Sequence, residues 1–522
     1  MSNGNIKGST KLDSTGETET TQRRRGKREK NFELPVMNAA KPLQKKKAKQ
    51  SKSLLRHGKD APSGGIEALI PSLIGVAVLV VSVMAQKGFR GRASVAGIDL
   101  GTTNSVICVQ APSKAVGTIN CIPDPSTGSP IIPSVVSFLE PRERKVGPSS
   151  KLSSKLVPHP SYVVVGQTAK QRIDSHPHRT LFHAKRVLGR PLSDKAVQEL
   201  KQEVEFTMVE DEETSEITFQ VDDMRISPRQ VGSYVVHHLI QITKEFLGHE
   251  NVQSAVLAVP AKFDALQRQR TMEAFKEAGV NIARVLEEPA AAALAYGLHK
   301  KDGVEKILVY DFGGGTLDVS ILHVAEGYCE VMGSDGDDRL GGADFDAAVA
   351  ALLSQKHSNV LETLSSCSID TEELSSICPQ VSETMPICSV SSFHTLGERL
   401  KIELSDTGTT AQTQCLAVPP NTGSVDLTAI CDQLVATQLS LSLDEHDAVS
   451  APLFERSIAP ITRLLKDLTL RHDEIDEIVM VGGTTRMPQI RALVRDEFSS
   501  AQMNTHIDPD LTVAYGAASV ID

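Results

Sequence analysis

Asp99-Leu-Gly-Thr-Thr-Asn-Ser-Val-Ile-Cys-Val109 is answered later in the chain by Asp311-Phe-Gly-Gly-Gly-Thr-Leu-Asp-Val-Ser-Ile-Leu322, and this pair decides the reading of the fold. Each stretch follows an apolar run that reads as a strand, Val95 to Ile98 in the first and Ile307 to Tyr310 in the second. Each sets a carboxylate at the strand end, turns through Gly with Thr or more Gly, and re-enters a β-branched run. That pattern is a β-hairpin with a carboxylate at its bend. Gly101 and the run Gly313, Gly314, Gly315 let backbone N–H groups approach an anionic ligand that side chains would block. Asp99 and Asp311, if the hairpins face each other, would hold a hydrated Mg²⁺ between them. An ordinary tight turn explains one such hairpin. Two in matching order predict a duplicated α/β fold with two lobes and ATP in the cleft.

The rest of the chain bounds that reading. Its 522 residues leave room for more than one lobe, and a composition of 40% hydrophobic and 23% charged residues with no Trp is ordinary for a globular body. An aromatic stacking platform for nucleic acid is not expected, and no nucleic-acid partner is assigned. The net charge of −10 conceals a basic arm over residues 1–65, with Arg23-Arg-Arg-Gly-Lys-Arg28 and Lys45-Lys-Lys-Ala-Lys49, on an acidic body. The arm lacks apolar periodicity and is expected to be disordered. Ala68 to Ala85 carries no charge, which reaches the lower end of the bilayer-spanning range.

A transmembrane signal anchor is therefore assigned to residues 66–86, ahead of an ATPase domain over 93–522. The Lys/Arg excess before the span puts the N-terminus in the cytosol and the body in the lumen of the endoplasmic reticulum; a plastid or other organellar membrane is the alternative. Val83-Met-Ala85 also fits a cleavage site, but an uncleaved anchor is favoured.

None of the eight cysteines forms a C-x-x-C pair, so a zinc site is not expected. Cys108, on the first hairpin, reads as a packed small hydrophobe. Cys367, Cys378 and Cys388 lie in a Ser-rich stretch, where in an oxidising lumen one pair could bridge.

Further motifs follow in order. Lys185 sits in Arg179-Thr-Leu-Phe-His-Ala-Lys-Arg-Val-Leu-Gly-Arg190, where a surface lysine is the commoner explanation. Glu288, before Pro289, ends a strand and opens an Ala-rich helix; it can orient a metal-bound water or simply complement the helix dipole. Then come Arg339-Leu-Gly-Gly-Ala-Asp-Phe-Asp346, Glu398-Arg-Leu-Lys-Ile-Glu-Leu-Ser405, Ile478-Val-Met-Val-Gly-Gly-Thr-Thr-Arg-Met-Pro488, and the Ala-rich Asp508 to Ala518.

In this order the segments resemble the ATPase domain of the 70-kDa heat-shock protein family, from about Val95 to Asp522. The resemblance implies a two-lobed actin-like and sugar-kinase-like fold with ATP and Mg²⁺ in the cleft. It implies that Asp99, Asp311 and Asp318 surround the metal through its waters, with Glu288 more distant. Lys185 would orient the attacking water and offset charge on the γ-phosphoryl group, and Thr316 would hydrogen-bond that group. Thr102, Thr103 and Asn104 with Gly313 to Gly315 would cradle the phosphates. Glu398, Lys401 and Ser405, together with Gly482, Gly483, Arg486 and Asp510, would frame the adenosine, and Gly341, Gly342 and Thr484 belong with the nucleotide-binding positions. Such roles suit phosphoryl transfer, which depends on positioning and charge stabilisation.

Two departures stand out. Ile402 occupies the place where the family's adenine clamp usually has an Arg, which predicts weaker adenine binding. The stretch from Ser354 to Phe393 shows little helical periodicity where the family is helix-rich. The sequence stops at Asp522, so no peptide-binding domain is expected, a layout similar to the truncated microsome-associated family member. The favoured function is a membrane-anchored, ATP-hydrolysing chaperone-family protein of the secretory pathway, with chaperone or co-chaperone partners. A nucleotide-dependent regulatory module with weak or no ATPase activity is the alternative, and a small-molecule kinase is the third reading.

Overall fold

The computed structural model describes residues 94–110, 118–140, 158–173, 175–366, 374, 377–382, 384–419 and 427–520. Both sequence motifs form antiparallel hairpins: Ser94–Leu100 pairs with Asn104–Gln110, and Lys306–Phe312 pairs with Leu317–Ala325. Each hairpin is the middle of a larger sheet, and the two sheets are built alike. In the first, Ile119–Cys121 flanks the hairpin on one side, while Val252–Val259 and then Asn281–Glu287 extend it in parallel on the other. In the second, Tyr328–Asp337 takes the flank, and Glu477–Val481 and then Gln502–Asn504 give the parallel extension. The same strand order in both marks a structural duplication.

Burial explains why these segments are strands. Glu477–Val481 is buried along its whole length and Lys306–Phe312 along most of it, as expected for strands covered on both faces. Asp311 interrupts the apolar run of Lys306–Phe312 at its bend end, where the sheet opens to the cleft. Helices start where side chains cap them. Ser227 and Gln230 form a reciprocal capping box for Pro228–Leu247, and Asp264 and Gln267 do the same for Ala265–Glu277.

The lobes are tied by two helices that exchange places. The Ala-rich helix Glu288–Ala295 follows the first sheet in sequence, yet Ala291, Ala292 and Ala293 pack with Ile307, Val309 and Val479 of the second. Thr512–Ser519 follows the second sheet and lies on the first, where a Cβ at Gly97 would meet the Ala518 nitrogen at 2.2 Å. The two helices touch at Gly516, where a Cβ would lie 1.8 Å from the Ala291 carbonyl oxygen. Only small residues permit this approach, which accounts for the alanine content of both helices.

Three expectations are corrected. The fold class assigned above included a transmembrane helix ahead of the body. Among the described residues no helix is long and apolar enough to cross a membrane. The longest, Leu443–Asp467, carries charge along the side it turns to water. Residues 66–86, to which the span was assigned, and the arm at 1–65 lie outside the described residues.

Cys108 is not a free packed thiol: it is joined to Cys121 across neighbouring strands. Cys378 and Cys388 do not pair with each other but with Cys431 and Cys415, beside and on the strand pair Thr410–Ala417 and Val435–Ser442; Cys367 lies outside the described residues. The third correction concerns the Ser/Cys-rich stretch, whose first part is helical: Gly342–Lys356 and Ser358–Ser366 run through it, and Val390–Thr407 begins at its end.

Candidate active site

The hairpin bends face each other across a cavity of about 530 Å³, a volume suited to a nucleotide-sized ligand. Its lining includes Asp99, Gly101, Thr102, Thr103 and Asn104 from the first bend, and Asp311, Gly313, Gly314, Gly315, Thr316 and Asp318 from the second. The loops nearly touch: a Cβ on Gly314 would lie 3.1 Å from the Thr103 Oγ1. Each loop is braced from behind. Ser134 Oγ donates to the Gly101 carbonyl at 2.8 Å, and Thr484 Oγ1 donates to the Gly313 carbonyl at 2.9 Å.

The carboxylates cluster at the inner end. Asp311 and Asp318 are direct cross-strand partners in the second hairpin, a like-charge pairing that costs stability in an ordinary sheet. Burial and the neighbouring Glu288 charge raise Asp99 to about 7. Asp311 is pushed well above the usual carboxylate range by burial and by Glu288, Asp318 and Asp99. Glu288 is also raised by burial, against the opposing pull of Lys185. Among the described residues no three such side chains are placed to hold a metal ion directly; buried carboxylates raised in this way favour a nearby cation, and their oxygens suit the waters of a hydrated hard ion such as Mg²⁺.

Lys185 reaches the same place from the short 3₁₀ turn Ala184–Val187. Its Nζ donates to Glu288 Oε1 at 2.7 Å and sits 5.7 Å over the Phe263 ring. Burial would drain its proton, but the Glu288 and Asp99 charges outweigh that and hold the ammonium charged. Glu288 begins the Ala-rich helix, as the Pro289 signal suggested.

The residues assigned to the adenosine are less uniformly placed. Gly482 and Asp510 line the cavity; Gly341, Gly342, Glu398, Lys401, Ser405, Gly483, Thr484 and Arg486 are not among its lining residues. The Gly342 amide donates to the Gly313 carbonyl at 3.1 Å, which ties the 341–342 turn to the phosphate loop. Lys401 is engaged with Asp346 at 2.6 Å and with the Gly342 carbonyl at 3.1 Å. Ser405 Oγ donates to the Lys401 carbonyl, and Arg486 pairs with Asp510 at 2.7 Å. Ile402 is 52% exposed on the helix that carries Glu398, Lys401 and Ser405.

Lys262, Arg186, Arg190 and Arg339 also line the cavity; Arg186, Arg190 and Arg339 stand in the quoted motifs without a role, and Lys262 stands in none. Lys262 had a findable signal. It follows the buried strand Val252–Val259 just past Pro260, and the carboxyl ends of parallel strands are where α/β sheets place ligands.

Residues 95–521 match the family described as Hsp70 protein. The chain belongs to this family. It is 34% identical over 424 residues to a protein named Chaperone protein DnaK from Prochlorococcus marinus (strain MIT 9515), covering 81% of this chain and 58% of that one. It is 35% identical over 427 residues to the Iron-sulfur cluster biogenesis chaperone, mitochondrial, of Saccharomyces cerevisiae (strain ATCC 204508 / S288c), with the same shares. The chain thus spans little more than half the length of these relatives.

Proposed function

We propose that this Hsp70-family chain binds ATP in the cleft between its hairpins and hydrolyses it slowly, as the nucleotide-driven part of a chaperone cycle. The observation that carries the reading is the charged Lys185–Glu288 pair at the inner end of a cleft walled by two matching hairpin bends. The backbone of Gly313 to Gly315 and of Thr102 to Asn104 cradles the phosphates. The Lys185 ammonium, held by Glu288, stabilises charge developing on the γ-phosphoryl group and orients the attacking water, and Thr316 donates to that group. Asp99, Asp311 and Asp318 would hold Mg²⁺ through its waters, and the ion would supply charge neutralisation between the phosphates. Release of phosphate from ATP by the purified chain, abolished by Lys185→Ala, is the test. No release above buffer would sink the catalytic reading.

A second reading, a nucleotide-loaded regulatory module with little turnover, draws support from the adenine side. Ile402 offers no stacking guanidinium, and Lys401 is already engaged with Asp346. ATP binding without measurable hydrolysis would select it.

We also infer that the body works in an oxidising compartment, for which the lumen of the endoplasmic reticulum is the favoured candidate. Three disulfides support this, since such bonds are rare in the cytosol. Thiol labelling of protein taken directly from cells tests it; six reactive thiols at these positions would refute it.

A further inference from the structure

Asp311 and Asp318 oppose each other in the second hairpin, with Asp99 and Glu288 close by. Four carboxylates meet at one end of the cleft, and Lys185 answers Glu288. Lys262 answers Asp318: its Nζ lies 2.9 Å from Asp318 Oδ1. The two residues come from different lobes, Lys262 from the end of Val252–Val259 in the first sheet and Asp318 from the second hairpin. Both side chains are about one-third exposed at the cleft, 33% for Lys262 and 36% for Asp318. A Cβ on Gly336, in the flanking strand, would lie 2.3 Å from Lys262 Nζ, so the amine occupies the space a side chain there would fill. Lys262 also lines both the main cavity and a recess of about 10 Å³ shared with Glu288, Asp311 and Asp318, the room of a single water.

Charge bookkeeping then gives Lys262 a role. With Glu288 and Asp318 each paired, Asp99 and Asp311 are the two carboxylates of this group with no ion-pair partner among the described residues. They come from opposite hairpins, and once both are ionised their charge balances that of one divalent ion.

We propose that Lys262 is a resident cation of the cleft, which neutralises the charge of Asp318 across the lobes, so that Asp318 meets the ion's waters as half of an ion pair and the charge left to hold a single divalent ion is that of Asp99 and Asp311. This rests on the metal-site reading above. Without the ammonium, Asp318 becomes a third uncompensated carboxylate, and the repulsion between Lys262 and a bound divalent ion is lost. The cluster then holds such ions too tightly in the absence of nucleotide.

The test uses Mn²⁺ alone on the nucleotide-free full chain, with free Mn²⁺ read by its electron paramagnetic resonance signal. Lys262→Met is expected to bind Mn²⁺ roughly tenfold or more tightly than the parent, because a unit charge a few ångströms away in a partly buried site is worth that much. Lys262→Arg keeps the charge and should stay within about threefold of the parent. Adding Asp318→Asn to Lys262→Met should return the affinity to about the parent value, a coupling that lost packing alone would not produce. Lys262→Met within threefold of the parent, or tighter binding that survives Asp318→Asn, overturns the proposal. Asp99→Asn and Asp311→Asn separate the two readings: if they leave Mn²⁺ binding unchanged, the metal site itself fails. If they abolish it while Lys262→Met changes nothing, only the role of Lys262 falls. Mn²⁺ binding by neither parent nor Lys262→Met defeats both.

Discussion

Lys185 Nζ lies 2.7 Å from Glu288 Oε1, and the two residues are 103 positions apart in the chain. Both side chains are only 14% exposed. The pair joins a short turn of the first lobe to the helix that crosses to the second, so the inner end of the cleft is anchored to both.

Removing Lys185 should therefore have two separable consequences. Lys185→Met should cut single-turnover ATP hydrolysis by roughly 10² to 10³, the usual worth of one preorganised charge contact, while ATP binding persists. It should also lower stability, because a buried Glu288 loses its partner. Adding Glu288→Gln should restore the denaturation midpoint but not hydrolysis. A double variant that recovers hydrolysis would reduce the pair to a structural contact.

Stability of the nucleotide-free, metal-free protein should depend on Asp99 and pH. Asp99 is raised by burial to about 7, so folding favours its protonated form. That contribution is complete below the carboxylate's ordinary value, is lost as pH rises toward about 7, and does not change further above it. Asp99→Asn cannot titrate. Its stability relative to the parent should grow between about pH 4 and pH 7 and then level off. Urea midpoints of both proteins in EDTA across this range decide it; a constant difference would mean that Asp99 titrates normally.

The Cys388–Cys415 bond closes a loop, with a sequence separation of 27, that encloses the whole helix Val390–Thr407 carrying Lys401. In the chain-entropy account, opening such a loop in the unfolded state costs about 3–4 kcal/mol. The Cys388→Ser/Cys415→Ser variant should lose stability of that order in urea, and dithiothreitol should then affect the variant less than the parent. An unchanged midpoint would show that packing alone holds this subdomain.

The crossing helices should tolerate no added atom. Gly516→Ala would put a methyl group 1.8 Å from the Ala291 carbonyl oxygen, so the helices must separate. A loss of about 1–3 kcal/mol or more is expected, as for other overpacked interiors, with reduced nucleotide affinity because the same helices set the lobe geometry. Parent-like values in urea titration and nucleotide binding would show that the helices part freely.

Much of the candidate site was legible in the sequence because its parts are local. A carboxylate at a strand end, a glycine turn and a β-branched return are written within a dozen residues, and Asp99, Gly101, Asp311 and Gly313 to Gly315 were found in that way. Glu288 was equally plain beside Pro289. Lys401 and Ile402 were found as positions but not as contacts: the engagement of Lys401 by Asp346 depends on a helix packing that no short pattern records.

The sequence by itself determined that two like hairpins exist and which carboxylates and glycines stand at their bends, since backbone dihedral preference and strand period act over a few residues. Tertiary structure alone decided that Lys185 meets Glu288, that Lys262 meets Asp318, and that Cys388 bonds Cys415 rather than Cys378. It also decided that Leu443–Asp467 remains one helix through Pro452 and Pro460, which local propensity would have broken. These outcomes depend on which distant surfaces bury one another, and the free energy of that burial is a property of the folded whole rather than of any segment.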